Sequence, residues 1–96
     1  MNAPHLSPQE LLQATHEFPG KFVFKAIGRN DDDFIDGVVA VVRSELCQEF
    51  DAPYELHRTT SGRHVSVTIE PIVETAEQVL AIFRSLRGVD GLVLLL

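Results

Sequence analysis

The sequence predicts an α+β domain, with two helices laid on one face of a four-stranded antiparallel sheet. Three observations predict it. Apolar residues alternate with polar ones near residues 21–27 and again through 54–70, the period of half-buried strands. Two stretches carry apolar residues at three- and four-residue spacing, the period of helices. Along the chain the two kinds follow one another as strand, helix, strand, strand, helix, strand.

Residues 1–17 read as a leader, flexible or holding one short helix. Ser7-Pro8-Gln9-Glu10 is a helix start, with Ser7 as N-cap, Pro8 in the first turn and Glu10 reaching back as a capping box. The domain proper spans 18–96. Its first strand follows Pro19-Gly20, with Phe22, Phe24 and Ala26 on one face and Lys21, Val23, Lys25 and Ile27 on the other. After Gly28-Arg29-Asn30 come Asp31, Asp32 and Asp33. Asn30 or one of these aspartates caps the next helix, and the others complement the positive end of its dipole. That helix carries Ile35, Val38, Val39, Val42 and Leu46 on a stripe and is expected to end near Phe50, ahead of Pro53.

Residues 54–60 and 63–70 form a predicted hairpin around Ser61-Gly62. Setting Thr59 against His64, Leu56 against Val67 and Tyr54 against Ile69 gives one apolar face, which is what a single buried side requires. Thr75-Ala76-Glu77-Gln78 is a second capping box, and Val79, Ile82, Phe83 and Leu86 make the second helical stripe. Leu92 to Leu96 closes the chain as a strand with no alternation. Right-handed crossovers then put both helices on one side and the first and third strands in the middle, the ferredoxin-like βαββαβ sandwich.

Composition sets the limits on function. Ninety-six residues make one domain. A formal net charge of −6 disfavours nucleic acid and anionic membrane, both of which reward clustered Lys and Arg. No stretch reads as a secretory signal or reaches the length of a membrane helix, so a cytoplasmic setting is expected. The single cysteine, Cys47, cannot form an internal disulfide.

Phe18-Pro19, Phe22, Lys25 and Gly28, followed by Ser61-Gly62 and Ser66-Val67-Thr68, resemble the YbeD-like family. These are small bacterial proteins of unassigned function with a fold similar to the ACT regulatory domain. The resemblance covers about 18–96. It implies a βαββαβ fold, a cytoplasmic setting and a regulatory role, and it brings no catalytic residues to transfer.

The candidate ligand site is Gly28, Arg29 and Asn30, a loop feeding a helix N-terminus whose free N–H groups favour anions. In ACT domains the equivalent loop binds small effectors. Here the ACT-type Pro-Gly turn is missing, and three adjacent carboxylates repel an anion. Acylphosphatase, on the same fold, pairs a loop arginine with a strand asparagine. Arg29 fits the first part, but Asn2 and Asn30 are the only asparagines and neither falls on the third strand. His57 and His64 are expected as diagonal neighbours on the polar face of the hairpin. They bring too few ligands for zinc. Cys47 reads as a small half-buried residue near a helix C-terminus, with only Arg43, one turn back, to favour a thiolate.

Lys21, Val23, Lys25, Ile27, Val93 and Leu95 are expected to share the helix-free face as a mixed apolar and basic patch, a protein contact or dimer seam. Edge strands of this fold also pair with other chains. The sequence therefore predicts a non-enzymatic, ACT-like regulatory or protein-interaction module with no cofactor or metal. The alternative is a sensor of an amino acid or organic acid at the first strand–helix loop, followed by an acylphosphatase-like hydrolase.

Overall fold

The computed structural model describes residues 5–96. Its elements are α1 (Pro8–Thr15), β1 (Gly20–Lys21), β2 (Phe24–Arg29), α2 (Asp32–Glu45), β3 (Tyr54–Arg58), β4 (His64–Ile69), β5 (Ile72–Val73), α3 (Ala76–Leu86) and β6 (Leu92–Leu95). The main sheet is antiparallel with strand order β3-β4-β2-β6, so the first and third of its strands along the chain are central, as expected.

Burial alternates along β2 and β4. Phe24, Ala26, Val65, Val67 and Ile69 are buried, and they share one core with Phe34, Ile35, Val38, Val39 and Val42 of α2 and Val79, Ile82 and Leu86 of α3. One face of the sheet is therefore covered by two helices. Lys25 is exposed on the other, with Ile27, Ser66 and Thr68 half-buried there.

The expected leader does hold a helix. Ser7 and Glu10 complete the capping box of α1, and the helix docks on α3 through Leu12 and a 3.1 Å hydrogen bond from Gln9 to Glu77. Eight residues are too few for a stable isolated helix, so this docking is what holds it. Residues 1–4 of the expected leader lie outside the described residues.

Three expectations about strands and helix ends need correction. The single strand expected over 21–27 is two, β1 and β2, because its partner contains Pro71. Phe22 donates its N–H to the Pro71 carbonyl at 3.0 Å, and Pro71 has no N–H to return. The pairs Gly20↔Val73 and Phe24↔Ile69 keep one register across this gap, so β1–β5 and β2–β4 form one ribbon with a missing rung. Lys21 thus belongs to the two-stranded extension, and Val23 falls between strands.

The closing strand bulges. Gly28 pairs with Leu92, yet Ile27 pairs with Leu94 and Ala26 with Leu95, so β6 spends one extra residue, Val93. The bulge reverses the parity beyond it. Leu95, opposite Ala26, turns to the helix side and packs against the core, while Leu94 joins Ile27 on the helix-free face.

Finally, α2 stops at Glu45, well before Phe50. Cys47 takes a left-handed conformation (φ 52°), its N–H bonds the Ser44 carbonyl at 3.1 Å, and the Gln48 N–H bonds the Arg43 carbonyl at 3.0 Å. That is the Schellman arrangement, with cysteine in the place glycine usually takes. Cys47 is exposed, not half-buried. Because a Cβ in this region costs about 1 kcal/mol, Cys47→Gly should raise Tm by about 4–8 °C in a scanning calorimeter.

Candidate functional site

Backbone and side chains approach closely where β2 runs into α2. Gly28 is buried, and a Cβ on it would lie 2.6 Å from the Gly91 carbonyl oxygen and nearer still to the Phe34 ring. The Phe34 ring therefore fills the space beside residue 28. With α2 drawn in this close, Asp31 becomes its N-cap, accepting from the Phe34 N–H at 2.8 Å.

Arg29 points outward, but it is not free. Its Nε donates to Asp31, and its Nη2 donates to Asp90 at 3.1 Å, tying the start of α2 to the turn before β6. Hydrogen bonds to Asp31 and then Asp90 hold the guanidinium above its ordinary pKa. The Phe34 N–H and then Arg29 hold the Asp31 carboxyl below the usual aspartate range. Asn30 is also engaged. It donates Nδ2–H to the Gly62 carbonyl at 2.9 Å, accepts from Arg58 Nε at 3.0 Å, and its own N–H reaches the Arg63 carbonyl at 3.1 Å. Gly28, Arg29 and Asn30 are brought together as the sequence predicts, yet their polar atoms are spent on neighbouring loops.

The helix-free face divides in two. On β3 and β4 it presents Glu55, His57, His64, Ser66 and Thr68, and it is polar. His57 stands opposite Ser66, with His64 diagonal to it, as predicted. Among the described residues no three His, Cys, Asp or Glu side chains are placed to hold a metal ion. On β2 and β6 the face presents Lys25 and Ile27 beside exposed Val93, Leu94 and Leu96. Of the predicted patch, Lys25, Ile27 and Val93 lie here, exposed Lys21 and Val23 lie outside β2, Leu95 turns to the core side, and Leu94 and Leu96 stand in its place. The missed signal was the bulge, which a run of leucines does not announce.

The other edge of the sheet is β3. Its pairing with β4 has the predicted register, Tyr54↔Ile69 and Leu56↔Val67. Glu70 donates to the Pro53 carbonyl and Thr59 to the His64 carbonyl, each at 3.0 Å. Odd-numbered residues therefore direct their backbone groups to β4. Tyr54, Leu56 and Arg58 direct theirs outward, along the open edge. The side chains of Tyr54 and Leu56 lie on the helix side, where burial was expected, but the helices do not reach them: they are 42% and 37% exposed.

Next to the start of β3 is a cleft of about 490 Å³, bounded by Lys21, Asp51, Pro53, Glu70 and Ile72, with Phe50 80% exposed beside them. Lys21 and Glu70 face each other across 3.9 Å. This cleft lies at the opposite end of β2 from the Arg29 loop. No helix among the described residues is long and apolar enough to cross a membrane.

These features define a class: a small α+β protein whose predicted loop site is internally satisfied, and whose exposed apolar groups include a pair on a sheet edge and a group on half of a sheet face. Residues 13–96 match the family model described as "Protein of unknown function (DUF493)". The chain is 37% identical over 84 residues to the UPF0250 protein PM1928 of Pasteurella multocida, covering 88% of this chain and 93% of that one. It is 30% identical over 84 residues to a UPF0250 protein of Haemophilus ducreyi, covering 88% of this chain and 84% of the relative. A UPF0250 protein of Haemophilus influenzae is 31% identical over 80 residues, with coverages of 83% and 85%. The chain belongs to this bacterial family of unknown function, the YbeD-like proteins that its sequence resembles.

Two outcomes are expected at the loop. Gly28→Ala forces the Phe34 ring or the Gly91 carbonyl to move and should cost about 1–3 kcal/mol, read as a lower denaturation midpoint. Asp31 has a depressed folded pKa, so its charge stabilises the fold above the unfolded value of roughly 3.9, and that stabilisation is lost as pH falls through the folded pKa. Asp31→Asn keeps a capping oxygen but no charge. Its Tm should lie below wild type at pH 7 and converge with it toward pH 2.

Proposed function

We propose that this chain is a non-enzymatic, ferredoxin-like and ACT-like protein-interaction module that docks a partner strand along the β3 edge. The observation that carries this reading is the outward backbone of Tyr54, Leu56 and Arg58 beside half-exposed Tyr54 and Leu56 side chains. A strand laid there satisfies free N–H and C=O groups and covers apolar surface in one step. The strand order β3-β4-β2-β6, with helices after β2 and β4, supports the ferredoxin-like description. The apolar half of the helix-free face, Ile27, Val93, Leu94 and Leu96, is a second surface for contact, and a cytoplasmic site of action suits such a module.

A sensor at Gly28, Arg29 and Asn30 has less support. An anionic amino acid or organic acid would have to displace both Asp31 and Asp90 from Arg29 and would meet the Phe34 ring beneath Gly28. An acylphosphatase-like role asks the same of Arg29 and has no strand asparagine to position water.

The reading is tested by a photo-crosslinking amino acid placed at position 54 in a bacterial host, with position 84 on exposed α3 as the comparison. Adducts should form at 54 and be lost with Leu56→Pro. That change removes an outward N–H but none of the β3–β4 hydrogen bonds, so Tm should hold. Equal crosslinking at 54 and 84, or adducts indifferent to Leu56→Pro, would count against edge docking.

A further inference from the structure

We infer that the strand received by the β3 edge is β3 of a second copy of this chain, related by a twofold axis through Leu56. The inference rests on the edge-docking reading above and adds the occupant and the register. Two copies of β3 run antiparallel about a twofold axis, and only Tyr54, Leu56 and Arg58 can exchange backbone hydrogen bonds. Three registers let two or more of them do so.

An axis through residue 55 sets Glu55 directly against Glu55 of the second copy, a like-charge pair that opposes association. An axis through residue 57 sets His57 against its own copy and leaves Tyr54 beyond the paired strand. An axis through residue 56 does neither. It pairs Leu56 with itself, so apolar groups that are half-exposed in the single chain cover each other. It sets Glu55 opposite His57 of the second copy, twice, on the helix-free face. On the helix side it sets Tyr54 opposite Arg58 of the second copy, twice. There the guanidinium lies over an aromatic face while its Nε stays on Asn30.

The strand Tyr-Glu-Leu-His-Arg is thus complementary to itself about its middle residue, in carboxylate–imidazole pairing on one face and in cation–aromatic pairing on the other. It has no internal proline, lysine or bulge. The opposite edge, β6, is only four residues long and is paired through a bulge. A five-residue strand pair buries less than the roughly 1,200 Å² of a standard interface, so the dimer is reversible and falls in the weak class.

Sedimentation velocity decides it. The wild-type chain should move from 10.7 kDa toward twice that mass as its concentration is raised to about 1 mM. Leu56→Lys and Leu56→Asp each put like charges on the axis, so each should remain single at every concentration. An equimolar mixture of the two should associate, because only a twofold register through residue 56 brings the lysine against the aspartate. A wild-type chain that stays single to about 1 mM overturns self-pairing. It would leave docking of a different strand to the crosslinking experiment, which does not depend on the partner's identity. Association of either variant alone, or a mixture that stays monomeric, overturns the register. If either variant lacks a native circular dichroism spectrum, the Glu55–His57 pair decides instead. His57→Glu should weaken association about tenfold, and adding Glu55→His to it should restore wild-type affinity. Unaltered affinity in His57→Glu, or no recovery in the exchange, overturns the register equally.

Discussion

The absence of a side chain at residue 28 governs one whole end of the molecule. Phe34, fully buried, stands in that space and draws the first turn of α2 down on β2. Only two residues then remain to bridge strand and helix, and they and the last residue of β2 each have a determined task. Arg29 turns out between two carboxylates, Asn30 reaches the tip of the β3–β4 hairpin, and Asp31 caps the helix. A loop so heavily bonded to its neighbours is a fastening. The groups that made it look like an anion site are the groups that close it.

Much of this architecture was legible in the sequence, for reasons that can be named. The hairpin register followed from the demand that Leu56, Val67, Tyr54 and Ile69 share a face, and it is the register observed. The helix starts were written in local chemistry, Ser7, Asp31 and Thr75 each accepting a backbone N–H. What could not be read depended on backbone geometry that no side chain declares. Cysteine is not a residue that announces a left-handed turn, so the end of α2 was attributed to Pro53. A row of apolar residues at the C-terminus carries no alternation, so the bulge at Val93 and the inward turn of Leu95 had no signature. Exposure of Tyr54 and Leu56 was hidden for a third reason. Their face was correctly identified, but the width of two helices is smaller than the width of four strands.

That mismatch of widths shapes what the surface offers. Both outer strands are edges, and they differ in chemistry. β6 is short, leucine-rich and irregularly paired, so its exposed apolar side chains face outward from the sheet plane while its backbone makes a poor template. β3 is regular, and its outward backbone groups coincide with an apolar pair and with charged residues of both signs. Charge on an acidic chain of this kind keeps copies apart in general and confines association to places where opposite signs meet.

The missing rung at Pro71 has a mechanical consequence. With one ladder bond absent, the short β1–β5 ribbon is held to the main sheet less by hydrogen bonds than by Val73, which is fully buried in the core. The walls of the 490 Å³ cleft stand on both sides of that gap, Lys21 and Ile72 on the ribbon and Asp51 and Pro53 on the segment entering β3. A change in the width of the cleft therefore has to move Val73 within the packed core, so the two are mechanically coupled.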